Sequence, residues 1–202
     1  MSKLNGQQKE NLKALGIIVK YNRLRKGLSL RELAAKAKMS HTLISNIEKG
    51  HISANMNTLN ELFRVLQIEF YYDPIVSKEF NELYNKIMTH ILNYEYYQAR
   101  KLLDILEQKS DIYISSPDVI NFVIIRCLYY LISNTYIEDK DRTLIEYEVV
   151  LDFFTDEQKQ LFLFAKGLDY LNKRLYKIAD SLFKQALSIG NKEFDCLIKE
   201  YR

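Results

Sequence analysis

Residues 28–50, LSLRELAAKAKMSHTLISNIEKG, constrain the fold more than any other stretch, because they fit two short helices joined by a tight turn. Ser29 stands three residues before Glu32. That is capping-box spacing, in which each side chain satisfies the other residue's orphan backbone N–H, so a helix starts at Ser29. Leu33, Ala34 and Ala37 fall on one face, and the two alanines allow another helix to approach closely. Lys38, Met39 and Ser40 make the turn, with Ser40 placed as the next N-cap. Over 41–49, Ile44 and Ile47 face inward, which leaves His41, Thr42, Ser45, Asn46 and Lys49 outward. A merely solvated helix carries long charged side chains on its outer face. This one carries hydroxyls, an amide and an imidazole, groups suited to base edges and phosphates.

The flanks extend the pattern. Residues 1–10 read as a polar, frayed end, and 11–26 as a helix with Leu12, Leu15, Ile18 and Val19 on one side and Lys13, Lys20, Asn22 and Arg25 on the other. Gly27 closes that helix. After a loop at 50–57, a fourth helix over 58–67 turns Leu59, Leu62, Phe63 and Leu66 inward. Charge divides the chain at about the same place. Residues 1–70 hold 12 Lys+Arg and 5 Asp+Glu, net +7, and 71–202 hold 17 and 21, net −4. The basic end is the one suited to a polyanion.

Residues 15–68 resemble the Xre or phage-repressor type of helix-turn-helix domain. The likeness rests on Leu15-Gly16, Arg23 four residues before Gly27-Leu28-Ser29, E-L-A at 32–34, I-S-N-I-E-K-G at 44–50 and the closing L-x-x-L of the fourth helix. The resemblance implies binding to double-stranded DNA. It implies a structural pair between Arg23 and Glu48, base contacts from His41, Thr42 and Asn46 with Ser45 close by, and phosphate contacts at the start of the second helix, including Ser29 and Arg31. Lys49, His51, Ser53, Asn57 and Thr58 would add further phosphate contacts. Lys38 stands where such domains often have glycine, so a non-glycine residue is expected at positive φ. Leu30 replaces a polar residue that often touches phosphate.

Asp73-Pro74 punctuates the chain, since proline suits the first position of a helix. We therefore divide it into a DNA-binding domain over 1–70 and a helical domain over 71–202. The second part reads as three helix pairs: 74–92 with 96–108, then 116–133 with 139–154, then 155–172 with 176–189. Ser116 and Pro117 open the second pair, Thr155 and Gln158 form a capping box on the third, and 191–202 opens a seventh helix. The third pair resembles the tetratricopeptide repeat through Leu163, Gly167, Tyr170, Ala179, Phe183 and Ala186. The first matches less fully, through Leu83, Ile87, Ala99, Leu103 and Leu106, with His90 where an aromatic is usual. Ala99 and Ala179 lie 80 residues apart, two periods of about 40.

The first helix of each pair is apolar on more than one side, and two readings are open. Both faces are buried between repeats or in a dimer, or they form a peptide groove in which Asn121, Arg126 and Asn134 hold a backbone or carboxylate. The whole arrangement resembles the Rgg/PlcR group of bacterial regulators. That implies a homodimer controlled by a small signalling peptide. Members usually carry more than three pairs, so the chain reads as a shortened relative or a fragment of a longer array.

Two prolines and six glycines in 202 residues, 48% of them hydrophobic, predict a mostly helical chain with a sizeable core. The expected class is all-α: a four- or five-helix helix-turn-helix domain and a tetratricopeptide-like α-solenoid. Cys127 and Cys196 have no metal-ligand spacing to His41, His51 or His90, so a reduced cytoplasmic chain without metal or cofactor is expected. Cys127 reads as a core residue. The most apolar stretch is only 14 residues, too short for a bilayer, and no signal peptide or catalytic constellation is visible. The competing reading is a protein-interaction adaptor that no longer binds DNA.

Overall fold

The computed structural model describes residues 6–51, 55–69, 73–133, 151, 154–190 and 192–202, and for 6–14 and Met56 the backbone alone. The chain is all-α, with no strand among the described residues. Its helices are α1 (Gly6–Arg25), α2 (Leu30–Ala37), α3 (His41–Glu48), α4 (Met56–Leu66), α5 (Pro74–Leu92), α6 (Tyr96–Glu107), α7 (Ser110–Tyr113), α8 (Val119–Ile132), α9 (Asp156–Asn172), α10 (Tyr176–Ile189) and α11 (Asp195–Tyr201). Among the described residues no helix is long and apolar enough to cross a membrane. The helices fall into two compact units. The first takes the described residues up to Asp73 together with Asp111–Val119, and the second takes Pro74–Ser110 and Ile120–Arg202.

The first unit packs α1 against α3 and α4, and α2 against α3 and α4. Its core holds Ile18, Val19, Leu33, Ile44, Leu62 and Leu66, all at 3% exposure or less. Three expectations need correction. α1 begins at Gly6 rather than near residue 11, because 6–14 contains good helix formers such as Gln, Lys, Glu and Leu and no proline. Asn22, assigned above to the polar side, is 2% exposed. Its Nδ2 donates to Ile18 O at 2.9 Å and to Ile114 O at 3.4 Å, so the amide is buried with partners. α4 starts at Met56 rather than Thr58, since Asn55 Oδ1 accepts the Thr58 N–H at 2.8 Å and caps it.

Among the described residues six helix ends close in one way. Gly27, Lys38, Gly50, Gln67, Tyr94 and Arg174 each take a left-handed conformation, with φ between 52° and 68°. Each donates to the carbonyl three residues back, and the next residue donates to the carbonyl five back. This is the Schellman closure, which satisfies the last carbonyls of a helix. Only two of the six residues are glycine.

In the second unit α9 and α10 form the most extensively packed pair, followed by α5 and α6. These two hairpins repeat each other 80 residues apart. α5 ends at Leu92 and α9 at Asn172, and α6 starts at Tyr96 and α10 at Tyr176. Glu95 N–H donates to His90 O at 2.8 Å, and Leu175 N–H to Tyr170 O at 2.9 Å. The bulky buried residues of the first helices are Tyr84 and Phe164, also 80 apart, whereas Leu83 and Leu163 are only half-buried. The Ser116 hydroxyl accepts the Asp118 N–H at 3.1 Å, but α8 begins at Val119. The helix expected over 139–154 lies outside the described residues except at 151 and 154. The terminal helix, expected from 191, is α11 and starts at Asp195.

Polar ties hold α6, α8 and α11 within this unit. Glu107 accepts from Arg126 Nε at 2.8 Å and from the Tyr130 hydroxyl at 3.0 Å, and lies 3.3 Å from Arg100 Nη2. Tyr94 donates its hydroxyl to Glu200, and the hydroxyls of Tyr96 and Tyr201 lie 3.4 Å apart, so the last helix reaches the first hairpin. Cys127 is buried, and burial pushes its thiol up to about 12, so it stays a protonated core group at neutral pH. A Cβ added to Gly167 would lie 2.3 Å from Cε1 of Phe183, whose ring is 1% exposed and has nowhere to move. Gly167→Ala is therefore expected to cost about 1–3 kcal/mol by overpacking. Urea denaturation should show this, with partial recovery on adding Phe183→Leu.

Candidate nucleic-acid interface

The interface is built from α2, the turn after it and α3. The Ser29 hydroxyl accepts the Glu32 N–H at 3.2 Å, and the Ser29 N–H donates to Glu32 Oε2 at 2.7 Å. These bonds hold the Glu32 carboxyl below its usual range. The contribution of this cap is complete above the ordinary glutamate pKa and is lost as pH falls through the lowered value. Lys38 turns the chain at φ 53°, and the Ser40 hydroxyl starts α3 by accepting the Leu43 N–H at 3.1 Å. The glycine-like conformation at a lysine costs roughly 1–2 kcal/mol and places a charged side chain in the turn.

Two features fix α3 from behind. Ile44 and Ile47 are buried, and Gly16 brings the backbone of α1 against the end of α3: a Cβ there would sit 2.3 Å from Ile47 O. Beside it, Arg23 Nε donates to Glu48 Oε1 at 2.6 Å and Nη2 donates to Oε2 at 2.9 Å. Nη1 donates to Leu28 O at 2.8 Å, so one guanidinium ties α1, the loop before α2 and α3 together. Arg23 is 6% and Glu48 3% exposed. Such a fork-to-fork pair fixes orientation as well as charge.

On the opposite side His41, Thr42 and Lys49 are exposed, and Ser45 and Asn46 are half-buried. Ser29, Arg31, His51 and Asn57 are exposed, and Thr58 is half-buried with its N–H given to Asn55. Ser53 lies outside the described residues. Of the residues expected to hold a peptide, Asn121 Oδ1 accepts from Gln158 Nε2 at 2.7 Å and Arg126 donates to Glu107, so both already have partners within the chain. Asn134 lies outside the described residues. Asn55 and Asn22 were missed by the sequence reading. Asn55 is an ordinary N-cap residue three before Thr58 and was open to detection, whereas nothing in the helical pattern marks Asn22 as buried.

The Helix-turn-helix family model matches residues 19–72. The match runs from within α1 to beyond the end of α4 and supports a DNA-binding regulator of the Xre type. No curated protein and no solved structure matches the chain.

Two substitutions test how α3 is held. Glu48→Ala strands the Arg23 guanidinium in the core and is expected to cost about 3–5 kcal/mol, while replacing both residues by aliphatic ones of similar size costs far less. Gly16→Ala meets a backbone carbonyl rather than a side chain, so α1 and α3 must separate. Thermal unfolding should show a loss at the upper end of the overpacking range of about 1–3 kcal/mol or beyond it.

Proposed function

We propose that the chain is a sequence-specific transcriptional regulator that places α3 in the major groove of double-stranded DNA. The observation that carries this reading is the contrast between the two sides of α3. The rear is clamped by Gly16 and by the Arg23–Glu48 fork, and the front presents His41, Thr42, Ser45 and Asn46, polar groups of which the first two are exposed and the last two half-buried. A reading helix needs both, because base recognition demands a rigid frame and short side chains of defined hydrogen-bonding pattern. Asn46 reads adenine through its amide, and His41, Thr42 and Ser45 complete the base contacts. Ser29, Arg31, Lys49, His51, Ser53, Asn57 and Thr58 set the register on the phosphates, the Ser29 hydroxyl keeping its proton to donate.

The regulator acts as a homodimer on a two-fold operator, with the tetratricopeptide-like repeats of 71–202 as the dimerising and sensing part. The 80-residue repetition of the two hairpins supports a repeat architecture. A small signalling peptide is the ligand class that the resemblance implies. To use Asn121, Arg126 and Asn134, such a peptide must displace Gln158 from Asn121 and Glu107 from Arg126.

Gel-shift titration at fixed salt tests the reading face. Asn46→Ala should weaken operator binding by about 1–3 kcal/mol, a factor of roughly 5 to 150, and relax the preference at one base pair. Unchanged specificity would overturn the assignment of the face. Lys49→Ala should weaken binding to all sequences alike and lower the salt slope by about one. A wild-type affinity independent of salt would favour the adaptor. In the DNA-bound dimer the recognition helices should stand about 34 Å apart.

A further inference from the structure

The first unit contains a second site away from the reading face. A cleft of about 570 Å³ opens between the end of α1, the exit of α4 and the segment Asp111–Val119, and every residue lining it belongs to that unit. Its volume is that of a small-molecule site. We propose that this cleft binds a free amino acid with an aliphatic side chain.

Three properties of the lining carry the assignment. First, it holds charge of both signs. Arg25 and Lys26 stand at the end of α1, Glu69 stands beyond α4, and Asp111 opens the third wall. A zwitterion answers both signs at once, whereas a simple anion or cation leaves one wall opposed to it. Second, the walls carry Ile68, Ile112 and Ile114, each half-buried, which offers apolar contact to a branched side chain. Third, Asn22 is 2% exposed and lines the cleft, with Nδ2 given to Ile18 O and Ile114 O. Its Oδ1 accepts no hydrogen bond among the described residues and is not among the sealed-off buried oxygens, so it is open to a donor. An ammonium group supplies one, with Glu69 and Asp111 neutralising its charge and the carboxylate taken by the Arg25 and Lys26 side, where Lys26 Nζ keeps its bond to Gln67 Oε1 at 3.2 Å.

The site is independent of the DNA reading and is tested without DNA. Isothermal titration of the full chain with L-leucine, L-isoleucine and L-valine is compared with two leucine analogues, 3-methylbutylamine and 4-methylpentanoate, each lacking one charge. Saturable binding of at least one amino acid is expected, weakened about tenfold or more for both analogues. The same loss is expected for the Glu69→Gln/Asp111→Asn double variant, whose substitutions are exposed and whose helicity is checked by circular dichroism. The proposal fails if none of the three amino acids binds saturably. It also fails if an analogue binds as well as leucine, or if the folded double variant keeps wild-type affinity.

Discussion

The orientation of α3 depends on one buried ion pair. Arg23 and Glu48 lie 25 residues apart, and their two parallel contacts fix the angle between α1 and α3 in a way that the contacts of Ile44 and Ile47 alone do not. Hydrophobic burial is non-directional, and a helix with an isoleucine face can rotate or slide at small cost. A guanidinium held to both oxygens of one carboxylate cannot. The third contact of Arg23, to Leu28 O, extends this constraint to the loop that begins α2, so both helices of the motif share one origin. Gly16 completes the arrangement by letting α1 touch the α3 backbone without an intervening side chain.

How much of this was legible depends on whether the determinant is local. Capping boxes at Ser29–Glu32 and Thr155–Gln158, the Ser40 cap and the proline start of α5 rest on residues within three positions of each other, and these helix starts match the structure. The inward faces of α2, α3 and α4 were likewise readable from period alone. Asn22 was not, because its burial is set by Ile114, 92 residues away. The identity of Tyr84 and Phe164 as the buried bulky residues, in place of their neighbours Leu83 and Leu163, also depends on how α6 and α10 cross. A rotation of one position separates the two choices, which is finer than helical periodicity resolves. Of the site residues, the frame around Arg23 and Glu48 was implied by resemblance, while the close approach at Gly16 needed coordinates to be seen as a contact.

The second unit shows the same division. Its hairpins were placed by spacing, yet the contacts of Tyr94 and Tyr96 with Glu200 and Tyr201 were invisible to it. Tyrosine suits this use, because the ring packs while the hydroxyl finds a partner. Glu107 plays a comparable part for α6 and α8. It draws in Arg126 and Tyr130 with Arg100 alongside, and Arg100 lies 5.2 Å from the centre of the Tyr130 ring. In both places the polar groups occupy positions that simple amphipathic patterning assigns to solvent.

The helix ends have a consequence for how this protein could change. Four of the six Schellman closures put Lys38, Gln67, Tyr94 or Arg174 where glycine would rest more easily. At Lys38 and Arg174 this is a small reserve of unused stability, open to evolution or to a protein engineer without moving any backbone atom, whereas Gln67 and Tyr94 offset the strain with side-chain bonds to Lys26 and Glu200. At Lys38 that reserve is bound up with electrostatics, because the same substitution would take a positive charge out of the turn before α3. Comfort of the chain and attraction for a polyanion compete there at a single residue.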